Sequence, residues 1–220
     1  MWKTTKSFVD YRNNVNLEDL QAIPTDPKFA KDDAYMFDSR NYFLKTVTAN
    51  ITETQQLSVA ISRLQGLMNS LRKVSLVCMK KSREFERALA VKIIMLAPFA
   101  PHFASELWAA FCSAKHHLIS ENEVRLDKDV MEQDWPEIDL DYKMTLNVHI
   151  NGECHKKIKI PKYKLDKLLV DEALDSMMND PEIQRRLVNK KIVETKLLSK
   201  AGCDSTMYIV TEKLKETITT

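Results

Sequence analysis

The stretch Met95-Leu96-Ala97-Pro98-Phe99-Ala100-Pro101-His102, followed by Glu106-Leu107-Trp108, decides how the first half of this chain folds. Proline disfavours helical geometry in the residue before it, so one helix ends at Ala97. Pro101 suits the first position of a new helix, where its missing N–H has no partner to lose. Phe103, Leu107, Trp108 and Phe111 then recur at helical spacing and predict one buried face. Two apolar helices meeting at a fixed angle are the least this stretch requires.

Upstream, the same periodicity continues. Residues 2–12 read as a short helix, and residues 13–37, with Pro24, Pro27 and clustered Asn and Asp, read as loop. Asp38-Ser39 can cap a helix running to about Thr52. Leu57, Ala60, Ile61, Leu64, Leu67, Met68, Leu71, Val74 and Cys78 alternate by three and four residues as one continuous apolar stripe. Arg63, Arg72 and Lys73 lie elsewhere on that cylinder. Ser82 caps a further helix up to Pro98, and the next covers 101–112. Joined by short links, these helices predict an antiparallel bundle over residues 1–117. Residues 118–142 are acidic, lack apolar periodicity, and read as a linker ending near Trp135-Pro136.

From residue 143 the period becomes two. Met144, Leu146, Val148 and Ile150 alternate with Thr145, Asn147 and His149, which predicts a strand with one buried face. Asn151-Gly152 signals a hairpin. A three-residue loop, Asn151-Gly152-Glu153, would pair Ile150 with Cys154, Leu146 with Ile158 and Met144 with Ile160. That register keeps the apolar side chains on one face, with Gly152 left-handed in a type I turn plus bulge. A helix from Leu165 to Met177, a short one opened by Asp180-Pro181, and a second hairpin across Ala201-Gly202-Cys203-Asp204 complete a ββααββ domain over residues 143–220. Its helices cover one face of the sheet. The predicted class is α+β: a helical bundle followed by a small mixed domain.

With 44% hydrophobic and 29% charged residues, the composition is that of an ordinary globular protein. No apolar run approaches a membrane span, so no membrane role is expected. Cys78, Cys112, Cys154 and Cys203 form no Cys-x-x-Cys pair and read as free thiols. Residues 1–120 hold 16 Lys and Arg against 11 Asp and Glu, residues 121–142 hold 2 against 9, and residues 143–220 hold 15 against 11. Two basic blocks about an acidic connector suit modules that face a polyanion. They equally suit two ordinary domains with a solvated link.

The chain contains no Gly-rich phosphate loop and no His-Glu-x-x-His. No acid–base pair or metal set stands out, so catalytic and metal-ligating residues are expected to be absent. In the register above, His149 and His155 would face each other across the hairpin without further ligands. The cations are more informative. Lys157 and Lys159 should project from the outer hairpin face, with Lys162 and Lys164 just beyond, and Arg185, Arg186, Lys190 and Lys191 cluster between the second helix and the third strand. Long cationic side chains are what phosphate contact needs; a lysine-rich face that protects a sheet is the other reading.

The wording around Pro98 and Pro101, the Trp135-Pro136 pair and Val148-His149-Ile150-Asn151-Gly152 together resemble the carboxy-terminal part of leucyl-tRNA synthetases of the bacterial and mitochondrial type. The resemblance implies an anticodon-binding helical domain followed by a domain that contacts the outer corner of tRNA. It also implies a tRNA-Leu partner, a monomer, and a mitochondrial matrix location, with the cytoplasm as the alternative. The candidate tRNA-binding residues are Arg72, Lys73, Lys157, Lys159, Lys162, Lys164, Arg185, Arg186, Lys190 and Lys191. Where the bacterial pattern has a Lys-Val-Arg-Gly-Lys-like stretch after Asn-Gly, this chain has Glu153-Cys154-His155-Lys156-Lys157. The family's adenylate-forming signatures, His-x-Gly-His and Lys-Met-Ser-Lys-Ser, do not occur. The 220 residues are therefore expected to be inactive alone and to need no cofactor, with ATP and Mg belonging to the catalytic core of the full-length enzyme. Met1 reads as an internal or partial start, without a targeting peptide. A free-standing RNA-binding or interaction protein derived from such a tail is the alternative.

Overall fold

The computed structural model describes residues 1–22, 24–200 and 203–213, divided between two units, Met1–Ile138 and Asp139–Thr220. In the first unit the helices are α1 (Trp2–Asn14), α2 (Leu17–Gln21), α3 (Pro27–Thr52), α4 (Leu57–Lys73), α5 (Leu76–Lys81), α6 (Arg83–Leu96) and α7 (Pro101–Cys112). The Ser82 hydroxyl accepts from the Phe85 amide at 2.8 Å and starts α6. That helix stops before Pro98 and α7 opens on Pro101, as the proline spacing predicts. Phe8, Met36, Leu67, Leu89, Ile93, Leu107 and Phe111 meet in one core. Phe103 does not join them: it is 42% exposed, and the inner position belongs to Ala104.

Three local readings are corrected. Residues 13–37 are largely helical, because Asp26 accepts from the Lys28 amide and Pro27 fills the first helical position. An aspartate–proline pair starts a helix, although a proline taken singly reads as a loop marker. The stripe from Leu57 to Cys78 is not one helix. The Ser75 hydroxyl accepts from the Cys78 amide and Asp32 accepts from the Ser75 amide, so the chain turns and α5 begins anew. Residues 118–138 are no solvated linker either. Ile119, Val124 and Val130 are buried in the bundle core, and Trp135 packs against it while donating to Thr48 Oγ1 at 2.9 Å. Net acidity concealed the few apolar anchors that do the packing.

The second unit contains β1 (Lys143–Ile150), β2 (Glu153–Pro161), α8 (Lys162–Leu165), α9 (Val170–Met178), α10 (Pro181–Leu187), β3 (Lys190–Leu198) and β4 (Ser205–Lys213). The sheet order is β2-β1-β4-β3, antiparallel except for the central β1–β4 pair. Met144, Leu146, Val148 and Ile150 are buried with Met207, Ile209, Ala173, Met177 and Ile183, so the helices cover one face.

The first hairpin differs in detail from expectation. Ile150 pairs with Glu153 and His149 with Cys154, and the bulge lies within the strand, at His155. Asn151 (φ 50°) and Gly152 (φ 88°) both occupy the left-handed region, the signature of a two-residue type I′ turn. The bulge then restores Leu146 to Ile158 and Met144 to Ile160, as predicted. The helix read across Leu165–Met177 is interrupted at 166–169. Of the second turn, Ala201 and Gly202 lie outside the described residues.

Candidate nucleic-acid interface

The hairpin tip is pinned from two sides. The Asn151 amide donates to the Ile209 carbonyl at 2.9 Å, and its side chain donates to Thr211 Oγ1 while accepting from the Thr211 amide. Beneath the tip, Ile150, Asn151, Glu153, His155, Arg186 and Lys190 line a polar groove of about 300 Å³. Arg186 arrives from the last turn of α10, and Lys190 opens β3 after Asn189, which turns the chain at φ 60°. Lys156, one residue beyond the bulge, points to the helical face and pairs with Asp180 and Glu182 at the start of α10. The hydrogen bond to Asp180 holds the Lys156 ammonium above its ordinary pKa, and the same bond holds the Asp180 carboxyl below its own. This contact fixes α10 against β2 and so sets where Arg186 stands.

Within the second unit, the eight predicted cations do not form one patch. Arg186 and Lys190 share the groove, while Arg185 is exposed on α10 beside it. Lys157 and Lys159 are exposed on the uncovered sheet face, opposite Asn147 and Thr145, and Lys159 donates to Thr145 Oγ1 at 2.9 Å. Lys191 is exposed and pairs in register with Glu212. Lys162 and Lys164 sit on α8, at the sheet end remote from the hairpin tip. Lys162 is engaged by Asp166 at 2.9 Å, and Lys164 stands over the Tyr163 ring. Arg72 and Lys73 belong to the other unit, at the end of α4. Lys73 lies over the Tyr35 ring, and Arg72 lines a cleft of about 480 Å³ with Lys3, Thr4, Ser7, Leu71 and Met79.

His149 and His155 do not face each other. His149 pairs with Cys154 and packs its ring against Tyr208, centroids 5.1 Å apart. Sequence reasoning missed Tyr208 and the exposed Lys196 beside it in register. Period two in 205–213 could have put Tyr208 opposite Met207 and Ile209. Its neighbour His149 depends on the crossover that sets β4 beside β1.

The family described as the anticodon-binding domain of tRNA ligase matches residues 33–170, and the chain belongs to that family. Among its relatives is the probable mitochondrial leucine--tRNA ligase of Mus musculus, 29% identical over 168 residues, which make up 74% of this chain and 18% of that protein. The probable mitochondrial enzyme of Pongo abelii is 30% identical over 73% of the chain and 18% of its own length. Leucine--tRNA ligase of Clostridium botulinum is 27% identical over 74% and 18%. The chain thus spans about 18% of the length of these relatives. A similar solved structure is the agnB2 LeuRS of Agrobacterium radiobacter K84 in a ternary complex with tRNA and LeuAMS. It aligns over 96% of this chain and 24% of its own, at 21% identity and TM-score 0.52.

Proposed function

We propose that these residues are the tRNA-binding, carboxy-terminal part of a leucine--tRNA ligase, which positions tRNA-Leu for a catalytic core that lies outside these 220 residues. The observation that carries this reading is the family match, which runs from the bundle into the sheet unit and so unites both in one tRNA-ligase segment. The relatives bearing that name support leucine as the cognate amino acid. Because mitochondrial enzymes stand among them beside bacterial ones, the proposed location is the mitochondrion. ATP and Mg would enter through the core, and the role of this segment is to hold RNA.

The chemistry of the second unit suits that role. Lys157, Lys159, Lys190 and Lys191 offer long cations for phosphodiesters, and phosphate contact makes binding fall with salt. The test is a titration of the 220-residue chain with a tRNA-Leu transcript at several salt concentrations, repeated with all four lysines changed to alanine. The variant should bind more weakly, with a salt dependence flatter by roughly one unit of log–log slope for each phosphate it no longer neutralises. Equal affinity of parent and variant at low salt would remove these lysines from the interface.

A further inference from the structure

The uncovered face of the sheet carries a feature that cations alone do not explain. Its two central strands place His149 and Tyr208 side by side, rings 5.1 Å apart and inclined by 46°, both half-buried. Helices pack only on the opposite face, where Val148, Ile150, Met207 and Ile209 are buried. Around the ring pair stand Lys196, in register with Tyr208, and Lys157, in register with Asn147 on the next row. Both lysines are exposed, and neither has an ion-pair partner among the described residues. Thr206 and the 48%-exposed Leu198 continue that row. Of the carboxylates, Glu194 stands on β3 two residues from Lys196 and in register with Val210, one row from the ring pair on the side away from Lys157, Glu212 lies further along β4, and Asp204 accepts from the Thr145 amide at 2.8 Å.

Resting on the RNA-binding reading above, we propose that the His149–Tyr208 pair is a stacking platform for an exposed nucleobase, with Lys157 and Lys196 holding its flanking phosphates. Flat π-surfaces on the central strands of a one-sided sheet take up unstacked bases, which every base can satisfy through its own π-face. Cations to either side match the charge of the backbone that carries such a base. Stacking is nearly charge-neutral, so its removal lowers affinity without releasing fewer counterions, whereas removal of a lysine lowers both affinity and salt slope.

That contrast gives the test. Tyr208→Leu keeps apolar bulk but removes the ring, Tyr208→Phe keeps the ring, and Lys196→Ala removes a cation. Each is titrated with the tRNA-Leu transcript from low to moderate salt, and circular dichroism confirms folding. Tyr208→Leu should bind at least about fivefold more weakly at every salt concentration, with the parent's slope. Tyr208→Phe should stay within about twofold, and Lys196→Ala should lose affinity with a flatter slope. If Tyr208→Leu folds and binds within about twofold of the parent, or if its slope flattens with its affinity, the platform is refuted while RNA binding by the lysines stands. If Tyr208→Leu does not fold, Tyr208→Phe and a His149→Leu variant decide on the same criteria. A parent that binds no tRNA overturns both readings together.

Discussion

Lys92 offers the sharpest test of the bundle's energetics. It lies on α6 with 5% of its surface exposed, and burial alone pushes its pKa from 10.5 down to about 8. Below pH 8 the ammonium is charged in both states, and the folded state bears the full desolvation cost. Between 8 and 10.5 the folded lysine has released its proton while the unfolded one has not, so stability climbs with pH. Above 10.5 the cost is gone. The gap between 10.5 and about 8 amounts to roughly 3 kcal/mol at about 1.4 kcal/mol per pH unit. Lys92→Met keeps the length of the side chain and removes the charge, so it should stabilise the bundle at about pH 7 by about 1–3 kcal/mol. Urea unfolding followed by tryptophan fluorescence reads this unit alone, because Trp2, Trp108 and Trp135 all lie within Met1–Ile138. The advantage of the variant should shrink steadily from about pH 8 to about pH 10. A variant no more stable than the parent near neutral pH, or a difference that does not change with pH, would refute the reasoning that Lys92 bears an uncompensated burial cost among the described residues.

The buried acid of the bundle and the glycine of the hairpin turn are testable in the same way. Glu86 is fully buried, accepts from Arg12 Nη2 and from the Leu118 amide, both at 3.0 Å, and lies 2.6 Å from His117 Nδ1. Glu86→Gln leaves the Arg12 guanidinium buried without its counter-ion and should cost about 3–5 kcal/mol in the same urea assay; Arg12→Met combined with Glu86→Leu should recover most of it. Gly152 sits at φ 88° in the hairpin turn, so Gly152→Ala should destabilise the sheet unit by about 1–2 kcal/mol. Amide hydrogen exchange should report that destabilisation in β1 and β2 while leaving the bundle unchanged.

Much of this architecture is local and therefore legible from the chain. Pro98 and Pro101 end and restart helices through their own covalent geometry, Ser82 caps through a bond three residues on, and alternation from Met144 to Ile150 marks the buried face whatever lies opposite. Short-range chemistry also misled where two signals competed. Pro27 marks a helix start only when read with Asp26, and Ser75 breaks a helix that the apolar stripe alone would continue. The Asn-Gly dipeptide demands a two-residue turn, while the apolar register demands an odd offset. The chain satisfies both by moving the bulge into β2.

The candidate interface divides along the same line. That Lys157 and Lys159 share a face follows from period two, a property of the chain itself. Their company does not. His149 meets Tyr208 because β4 crosses over to lie parallel to β1, and Arg186 meets Lys190 and His155 because Lys156 and Asp180 fix α10 against β2. Residues 118–138 count as part of the bundle only because Ile119, Val124 and Val130 find a core contributed by distant helices. Helix termini, strand alternation and the supply of cations each depend on neighbours within a few positions, and so they can be read from the order of residues. Which cations and rings stand together cannot, because strand order and helix docking join residues such as Asn151 and Thr211, 60 positions apart, through contacts that no local pattern records.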